Sequence, residues 1–208
     1  NGHYYPYVSA VATPWAGAFT DLTKDNLLSA STVANVSNRQ AQSASGSGAT
    51  LCQYVFNGLC GYFATVTSSS ENDYIVSKVG TAAAWLGGSD RVYEGVWKWA
   101  DPKAPEYNTQ FSDQYSGYPA RVDQSASSHA GTGSNTTGQS VAGSYVNWNT
   151  GEPNNSGANE NAIQILSGGG GQWNDLAESG GSTMGYVVEY GGIVGETITE
   201  ASAQRIVS

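Results

Sequence analysis

The sequence has little positive charge and no long apolar run. It contains 8 Lys and Arg residues against 17 Asp and Glu residues, which gives a formal net charge of −9. Nucleic acid or an anionic membrane surface would repel such a chain. No stretch approaches the roughly 18 uninterrupted apolar residues of a membrane-spanning helix. We therefore expect neither a nucleic-acid partner nor insertion into a membrane.

Cysteine and histidine are also scarce. The chain has two cysteines, Cys52 and Cys60, and two histidines, His3 and His129. Two cysteines alone cannot build a zinc site, and neither histidine stands at metal-ligand spacing from them. A local disulfide and two free thiols both remain open for Cys52 and Cys60. Neither histidine forms a convincing catalytic arrangement with Ser, Cys or Asp, so we expect both at the surface and expect no enzyme of that type.

Glycine (27), tyrosine (13) and tryptophan (6) are abundant instead. This composition is common in loop-rich extracellular β domains, and 208 residues suffice for one good core. We expect a single domain located outside the cell or at its surface. The opening NGHYY shows neither an initiator Met nor a signal peptide, so we also expect the chain to be one module of a larger protein. The sequence does not indicate an oligomeric state.

Hydrophobic periodicity predicts short elements along most of the chain. Residues 15–30 have helical spacing, and a second helix follows a strand near residue 63, with Ser70 as its N-cap. Further short strands are predicted at residues 3–8, 82–90, 95–101, 161–166, 171–176 and 185–192. Residues 101–143 lack sustained periodicity and are predicted to be an insertion. Residues 193–208 are predicted to be an extension or linker.

Oxygen-bearing side chains are concentrated near residues 151–161 and in the later segment WND. Glu152, Asn154 and Glu160 lie within nine positions, and Asn174 and Asp175 lie on the next predicted strand. Carboxylate and amide oxygens are the ligands that Ca²⁺ takes, whereas zinc or copper would call for His or Cys. Asn, Gly and Pro also mark turns, so a simple turn remains the alternative for the short stretch alone. The whole set predicts a calcium site.

Several motifs occur in an order that resembles a C-type lectin-like domain. They are WLGG at 85–88, EGVWKW at 94–99, YVNWNTGEPNN at 145–155, Glu160, WND at 173–175 and YVVEY at 186–190. The resemblance covers residues 1–192 apart from the insertion. It implies an α+β fold with two helices, small antiparallel sheets and a long calcium-binding loop region.

The resemblance implies specific roles for the oxygen-bearing residues. Glu152, Asn154, Glu160, Asn174 and Asp175 match the residues that hold the sugar-binding calcium, with the Glu152-Pro153 bond cis. The Glu-Pro-Asn sequence implies sugars with the vicinal hydroxyls of mannose, glucose, N-acetylglucosamine or fucose, whereas Gln-Pro-Asp favours galactose. Each hydroxyl would contact the ion, donate to a carboxylate and accept from an amide.

A weaker auxiliary calcium site is also implied. Asp90 and Glu94 match two of its residues, and the others are Asn155, Glu160 and Asn161. Two of these are amides where acidic residues often occur, which lowers the ligand charge. Asp90 and Glu94 as exposed acids of a turn is the competing interpretation.

The chain departs from the cysteine pattern of animal members. Because Ala162, Glu178 and Val188 stand at three expected cysteine positions, the aromatic core must hold the fold. We expect that core to contain Trp85, Trp97, Trp99, Trp148 and Tyr186. The pattern is similar to bacterial modules of surface adhesins.

Three functions follow from these observations. The first is calcium-dependent carbohydrate binding in cell adhesion, with glycans of a cell or matrix surface as partners. The second keeps the fold but binds a protein or an ice surface, since a fold alone does not determine function. The third is glycoside hydrolysis by paired carboxylates such as Glu152 and Glu160, which are better explained as metal ligands. We therefore predict a lectin and not an enzyme.

Overall fold

A computed structural model describes residues 3–23, 55–56, 59–114, 138–180 and 182–192. Within these ranges the chain forms two α-helices and ten β-strands. In chain order these are β1 (Tyr7–Thr13), α1 (Trp15–Thr23), β2 (Val55–Phe56), β3 (Leu59–Phe63), α2 (Ser69–Val79), β4 (Ala84–Ser89), β5 (Val96–Trp99), β6 (Gln110–Asp113), β7 (Gln139–Ser140), β8 (Ala162–Ile165), β9 (Trp173–Leu176) and β10 (Met184–Tyr190).

The strands join into one mostly antiparallel sheet. Its main path runs β2-β3-β10-β4-β5-β6-β7, with β1 also paired to β10 and with β8 paired to both β4 and β9. The β10-β4 pair is parallel. Strand β10 therefore links the first strand of the chain to the strands that carry the later loops.

Helix α2 begins with a capping box. The Ser68 hydroxyl accepts a hydrogen bond from the Glu71 N–H (3.2 Å), and the Glu71 carboxylate accepts from the Thr67 N–H (2.5 Å). The first bond satisfies a donor that the first turn of a helix leaves without a partner, and the second ties the residue before the N-cap to that turn. The helix ends at Gly80, whose N–H donates to the Val76 carbonyl (2.8 Å). The helix N-cap is therefore Ser68, and the sequence-based assignment of Ser70 is wrong.

The core consists of two clusters of buried side chains. The first cluster is dominated by aromatic rings that contact one another, as in the Trp97-Trp148 pair at 4.9 Å between ring centroids and the Trp99-Phe111 pair at 4.2 Å. The second cluster includes Trp15 and Tyr186 and packs around helix α1. The five residues predicted to form the core are all buried: Trp85, Trp97, Trp99, Trp148 and Tyr186.

The N-terminal segment is attached to the end of β10 by polar side chains. His3 Nδ1 lies 2.6 Å from Glu189 Oε1, and the Tyr5 hydroxyl donates to the same carboxylate at 3.1 Å. The other oxygen of Glu189 accepts from the Thr65 N–H (3.0 Å) and hydroxyl (3.1 Å). His3 was expected to be an ordinary surface residue, and instead it pairs with a carboxylate that is only 1% exposed.

Most predicted elements are present, with different bounds. The predicted helix over 15–30 is observed up to Thr23, and residues 24–30 lie outside the described ranges. Strand β6 lies inside the 101–143 segment, where the sequence predicted no regular element. Cys60 in β3 is disulfide-bonded, whereas Cys52, the only other cysteine, lies outside the described residues. Residues 193–208 and His129 lie outside them as well.

Candidate calcium and carbohydrate site

The segment with the predicted ligands forms a tight turn. Gly151 has φ +90°, a conformation that residues with a side chain rarely adopt, and the Glu152 N–H donates to the Asn149 carbonyl at 3.0 Å. The Glu152-Pro153 peptide bond is cis, which is the isomer expected from the sequence. The turn therefore presents Glu152 and Asn154 on either side of Pro153.

Strand β9 supplies the second part of the site. The Trp173 N–H donates to the Asn147 carbonyl (2.8 Å), and the Asn149 N–H donates to the Trp173 carbonyl (2.8 Å). This short parallel bridge places the loop before the turn beside β9. Asn174 and Asp175 follow directly on that strand, so the bridge brings WND against the turn.

Asp175 is the centre of the assembled site. Its side chain is fully buried, and its two carboxylate oxygens accept from the Asn154 N–H (3.0 Å) and the Asn155 N–H (2.8 Å). These charge-assisted bonds hold the turn directly on β9. The Asn174 side-chain amide donates to the Asp175 carbonyl at 2.6 Å, which holds that amide against the main chain of β9.

The carboxyl groups of Glu152 and Asp175 carry unfavourable charge. Burial and, second, the nearby charge of Asp175 raise the pKa of Glu152 to about 7. Burial also raises the pKa of Asp175, although the backbone N–H groups of Asn155 and Asn154 oppose this shift. Contact between the two carboxyl groups raises the pKa of Glu152 and lowers that of Asp175. A group with a perturbed pKa in such a place indicates a functional site.

Glu160 belongs to the same region but its carboxylate is engaged locally. It accepts from the Ser156 N–H at 2.8 Å, while the Glu160 N–H donates to Asn155 Oδ1 at 3.0 Å. Burial raises the pKa of Glu160, and the charge of Asp175 adds to the effect. The structure therefore brings Glu152 and Asn154 together with Asp175, has Asn174 beside Asp175 on β9, and holds Glu160 against Ser156 and Asn155 in the same loop.

The residues of the predicted auxiliary site are also near one another. Asp90 is 2% exposed, and the Gly95 N–H donates to its Oδ2 at 2.8 Å. Burial raises the pKa of Asp90 well above its ordinary value, and the charges of Glu94 and Asp175 add to the shift. Asp90 is thus buried and not an exposed acid of a turn. Asn161 joins this region through its carbonyl, which accepts from the Ser89 hydroxyl at 2.6 Å.

Two buried oxygens test whether a cation suits this region. Glu152 Oε2 and Asp90 Oδ1 are buried without a hydrogen-bond partner. The ion pairs seen within the described residues, His3-Glu189 and Arg91-Glu178, involve neither carboxylate. Buried carboxylates without a cation are costly, and calcium prefers oxygen ligands of this type. The donor set therefore fits calcium.

The carbonyl side of the turn is held by residues that the sequence reasoning missed. Gln114 Nε2 donates to the Pro153 carbonyl at 2.8 Å, and the Gly138 N–H donates to the Glu152 carbonyl at 3.0 Å. Neither residue belongs to a recognisable motif, and Gln114 lies 39 positions from Pro153 in the sequence. No local sequence signal could have identified these contacts.

A separate cluster of possible ligands lies at the N-terminal segment. Within the described part of the chain, His3, Glu71 and Glu189 are the group of His, Cys, Asp or Glu residues whose ligand atoms all lie within 4.8 Å of one another. Their polar atoms already bond to one another, to Tyr5 and to the backbone. This cluster therefore has a structural explanation without a metal.

Sequence comparisons relate the chain to parts of two larger proteins. No protein-family model matches the chain. Halomucin of Haloquadratum walsbyi is 33% identical over 151 residues, which are 73% of this chain and 1% of halomucin. The low affinity immunoglobulin epsilon Fc receptor of Mus musculus is 25% identical over 123 residues, which are 59% of this chain and 25% of the receptor. The chain thus spans only a small part of these relatives.

A solved structure establishes the fold. The C-type lectin CEL-I from Cucumaria echinata aligns with 92% of this chain and 91% of its own, at a TM-score of 0.50 and 17% sequence identity. No described helix is long and apolar enough to cross a membrane. The predicted α+β class is confirmed: two helices and a mostly antiparallel sheet give this chain a C-type lectin-like fold.

Proposed function

We propose that the chain is a calcium-dependent carbohydrate-binding module. The observation that carries this proposal is the closeness of two carboxyl groups, those of the fully buried Asp175 and the partly buried Glu152, beside a turn that presents Asn154. Their charge is not balanced by a cationic side chain in the described residues. When bound, calcium would balance this charge and offer coordination positions to two sugar hydroxyls.

The residues of the turn and of β9 would hold the ion. Glu152, Asn154, Asn174 and Asp175 supply carboxylate or amide oxygens, and Glu160 adds another from the edge of the site. Glu152 and Glu160 can accept hydrogen bonds from sugar hydroxyls, while the amides of Asn154 and Asn174 can donate to them. This order of acceptors and donors suits vicinal hydroxyls of the mannose, glucose, N-acetylglucosamine or fucose type. The module would bind these sugars without cleaving a bond.

An auxiliary ion would support the site. Asp90 and Glu94, with Asn155, Glu160 and Asn161, offer oxygen ligands close to Asp175. The unpaired Asp90 Oδ1 favours this assignment. A second cation here would lower the cost of burying Asp90 and would hold the loop from which Asn155 and Glu160 emerge.

We further propose that the module acts outside the cell in adhesion to glycans. A single shallow site binds a monosaccharide weakly, whereas several copies on one surface bind strongly through effective concentration. The net charge of −9 also argues against an anionic lipid or nucleic-acid partner.

Isothermal titration calorimetry tests the proposed function. The unchanged chain should bind mannose, N-acetylglucosamine or fucose at millimolar calcium, prefer them to galactose, and lose this binding in EDTA. The variant Glu152→Gln combined with Asn154→Asp should retain calcium and shift the preference toward galactose. Glu178→Gln removes a carboxylate that pairs with Arg91 instead, and it should bind as the unchanged chain does.

Other results would contradict the proposal. Sugar binding that persists in EDTA would show that the ion is not involved. Calcium binding without binding to any glycan on an array would favour a protein ligand, and thermal hysteresis would favour an ice surface. Release of reducing ends from an oligosaccharide would indicate an enzyme.

A further inference from the structure

The turn at Glu152 and Pro153 is held from two opposite sides. On one side, the carboxylate of Asp175 accepts from the N–H groups of Asn154 and Asn155. On the other side, the carbonyl groups of Glu152 and Pro153 accept from the Gly138 N–H and from Gln114 Nε2. The Asp175 side belongs to the binding site described above. The carbonyl side contributes no ligand atom and needs its own explanation.

Gly138 is packed against the turn so closely that no side chain fits. A Cβ atom there would lie 2.5 Å from Trp148 Nε1 and 2.8 Å from Pro153 Cδ. The Trp148 indole is itself fixed, because its Nε1 donates to the Ser112 hydroxyl at 2.9 Å. Gly138 therefore touches both the proline ring and a ring that the core holds in place.

Gln114 is equally well placed to act on the turn. Its side chain is 1% exposed and lies directly after β6, where its own N–H donates to the Gly95 carbonyl at 2.9 Å. Pro153 is buried as well. A buried carbonyl that loses its donor costs roughly 1 to 3 kcal/mol, so the Pro153 carbonyl would turn away if Gln114 were removed.

We propose that Gln114 and Gly138 are positioning residues for the calcium and sugar site. The directions of the Glu152 and Asn154 side chains depend on the main chain between them, and the two carbonyl contacts remove the rotation that the Asp175 contacts leave free. This inference rests on the proposed function, since it assigns these residues to that same site. Partners that orient metal ligands typically affect metal affinity by about 10- to 100-fold.

Gln114 and Gly138 also flank residues 115–137, which lie within the predicted insertion. Gln114 lies directly before residues 115–137 and Gly138 directly after them. Both ends of that segment are therefore bonded to the turn of the binding site, on adjacent residues. Changes at either end should alter ligand binding although neither end touches the ligand.

The experiment compares the full chain with Gln114→Met and Gly138→Ala. Gln114→Met keeps the length of the side chain and removes its donor, and Gly138→Ala forces the turn away from Trp148. Calcium affinity by calorimetry should fall roughly tenfold or more in both variants. In EDTA, hydrogen exchange at the Gly138 amide should be slow in the unchanged chain and at least tenfold faster in Gln114→Met, because the carbonyl that it contacts has moved.

Two controls separate positioning from general destabilisation. Gln110→Met removes a side-chain amide of the same kind from β6, the strand that directly precedes Gln114. Gln110 Nε2 donates to the Ser112 carbonyl at 3.3 Å and not to the turn. Val188→Ala truncates a fully buried side chain of the other core cluster and lowers the melting temperature. Both should keep calcium affinity within about twofold of the unchanged chain, since additivity holds for independent sites.

Each outcome decides the question. Unchanged calcium affinity and unchanged Gly138 exchange in Gln114→Met would overturn the proposal. The proposal would also fail if Val188→Ala and Gln114→Met lost the same calcium affinity for the same drop in melting temperature, because general destabilisation would then explain both losses. If the unchanged chain bound neither calcium nor sugar, the proposed function would fail. The exchange measurement in EDTA would still decide whether these residues hold the turn.

Discussion

At the scale of single residues, the candidate site depends on the contacts of one buried carboxylate, that of Asp175. Asp175 accepts two backbone N–H groups from the turn and also contacts the carboxyl group of Glu152. The two amide bonds favour its ionised form, and burial opposes that form. Glu152 Oε2 is buried without a hydrogen-bond partner, and burial together with the charge of Asp175 raises the pKa of Glu152 to about 7. The two neighbouring carboxylates therefore respond differently to pH and to a cation.

Calcium affinity should fall when the pH is lowered through neutrality. Burial raises the pKa of Glu152 to about 7, so this carboxyl group is protonated below that pH and cannot serve as an anionic ligand. Protons and calcium compete for it, and the affinity should fall by up to about tenfold per pH unit below pH 7. Calorimetric titration with calcium between pH 5.5 and 8.5 measures this dependence.

Glu152→Gln provides the control for this titration. Its calcium affinity should be lower at pH 8.5 and should fall less between pH 7 and 5.5 than that of the unchanged chain, since the titrating group is absent. A variant with the same pH profile as the unchanged chain would show that another group is responsible.

At the scale of elements, the site forms because a loop pairs with a strand. Residues 147–149 bond to Trp173, and the next two residues of β9 are the proposed ligands Asn174 and Asp175. Side chains alternate along a strand, so Asn174 and Asp175 face opposite sides of it. Asp175 points inward and becomes fully buried, whereas Asn174 remains partly exposed. The strand thus supplies one anchor for the turn and one polar group at the surface.

Helix α2 shows how a local pattern identifies an element but not its first residue. Three consecutive serines precede Glu71, and each is a suitable N-cap. Only Ser68 stands three positions before Glu71, which is the spacing of a capping box. The structure shows this reciprocal arrangement between Ser68, Glu71 and Thr67.

Ser68→Ala should destabilise the fold by about 1 kcal/mol, because the Glu71 N–H loses its acceptor. Ser70→Ala is the matched control, since the Ser70 hydroxyl lies 3.1 Å from the Ser68 hydroxyl and caps no backbone N–H in the described part of the chain. Urea unfolding of both variants measures the difference. Equal losses of unfolding free energy would contradict Ser68 as the cap.

At the scale of the whole molecule, the two ends of the described chain meet on one side of the sheet. Tyr4 bridges to Tyr190, and the His3 imidazole contacts the buried carboxylate of Glu189. The hydrogen bond from Glu189 raises the pKa of His3, and burial opposes this shift. Burial also raises the pKa of Glu189 itself, with the His3 contact opposing it. A protonated His3 therefore stabilises the closure of the sheet by its N-terminal segment.

The contribution of His3 to stability should decrease as the pH rises. The pKa of His3 is raised in the folded state, so its contribution is fully present below the unfolded value near 6.5 and is lost above the folded value. His3→Gln should lower the unfolding free energy by about 1 kcal/mol at pH 6. The difference from the unchanged chain should become smaller by pH 9.

Urea unfolding at pH 6 and pH 9 tests this expectation. His129→Gln removes the other histidine of the chain and reports the contribution of that second imidazole to the titration. A difference between His3→Gln and the unchanged chain that stays constant with pH would refute the role of the imidazolium.

The sequence by itself determined the fold class of the protein and predicted the chemistry of its candidate site. Motif order and hydrophobic periodicity predict the strands of WLGG, VWKW and YVVEY, because each run must bury one or both faces in a sheet. The oxygen-rich composition of residues 152–160 and of WND predicts calcium, because ligand type depends only on side-chain chemistry. These properties are local in the chain and can be read without a structure.

Tertiary structure alone decided how that chemistry is assembled. Burial of Asp90 and Asp175, the raised pKa of Glu152 and the pairing of His3 with Glu189 all depend on residues far apart in the sequence. Gln114 and Gly138 reach the turn only because β6 and β7 pair beside it. Such contacts follow from packing and not from local pattern, so the support of the binding site could be found only in the folded chain.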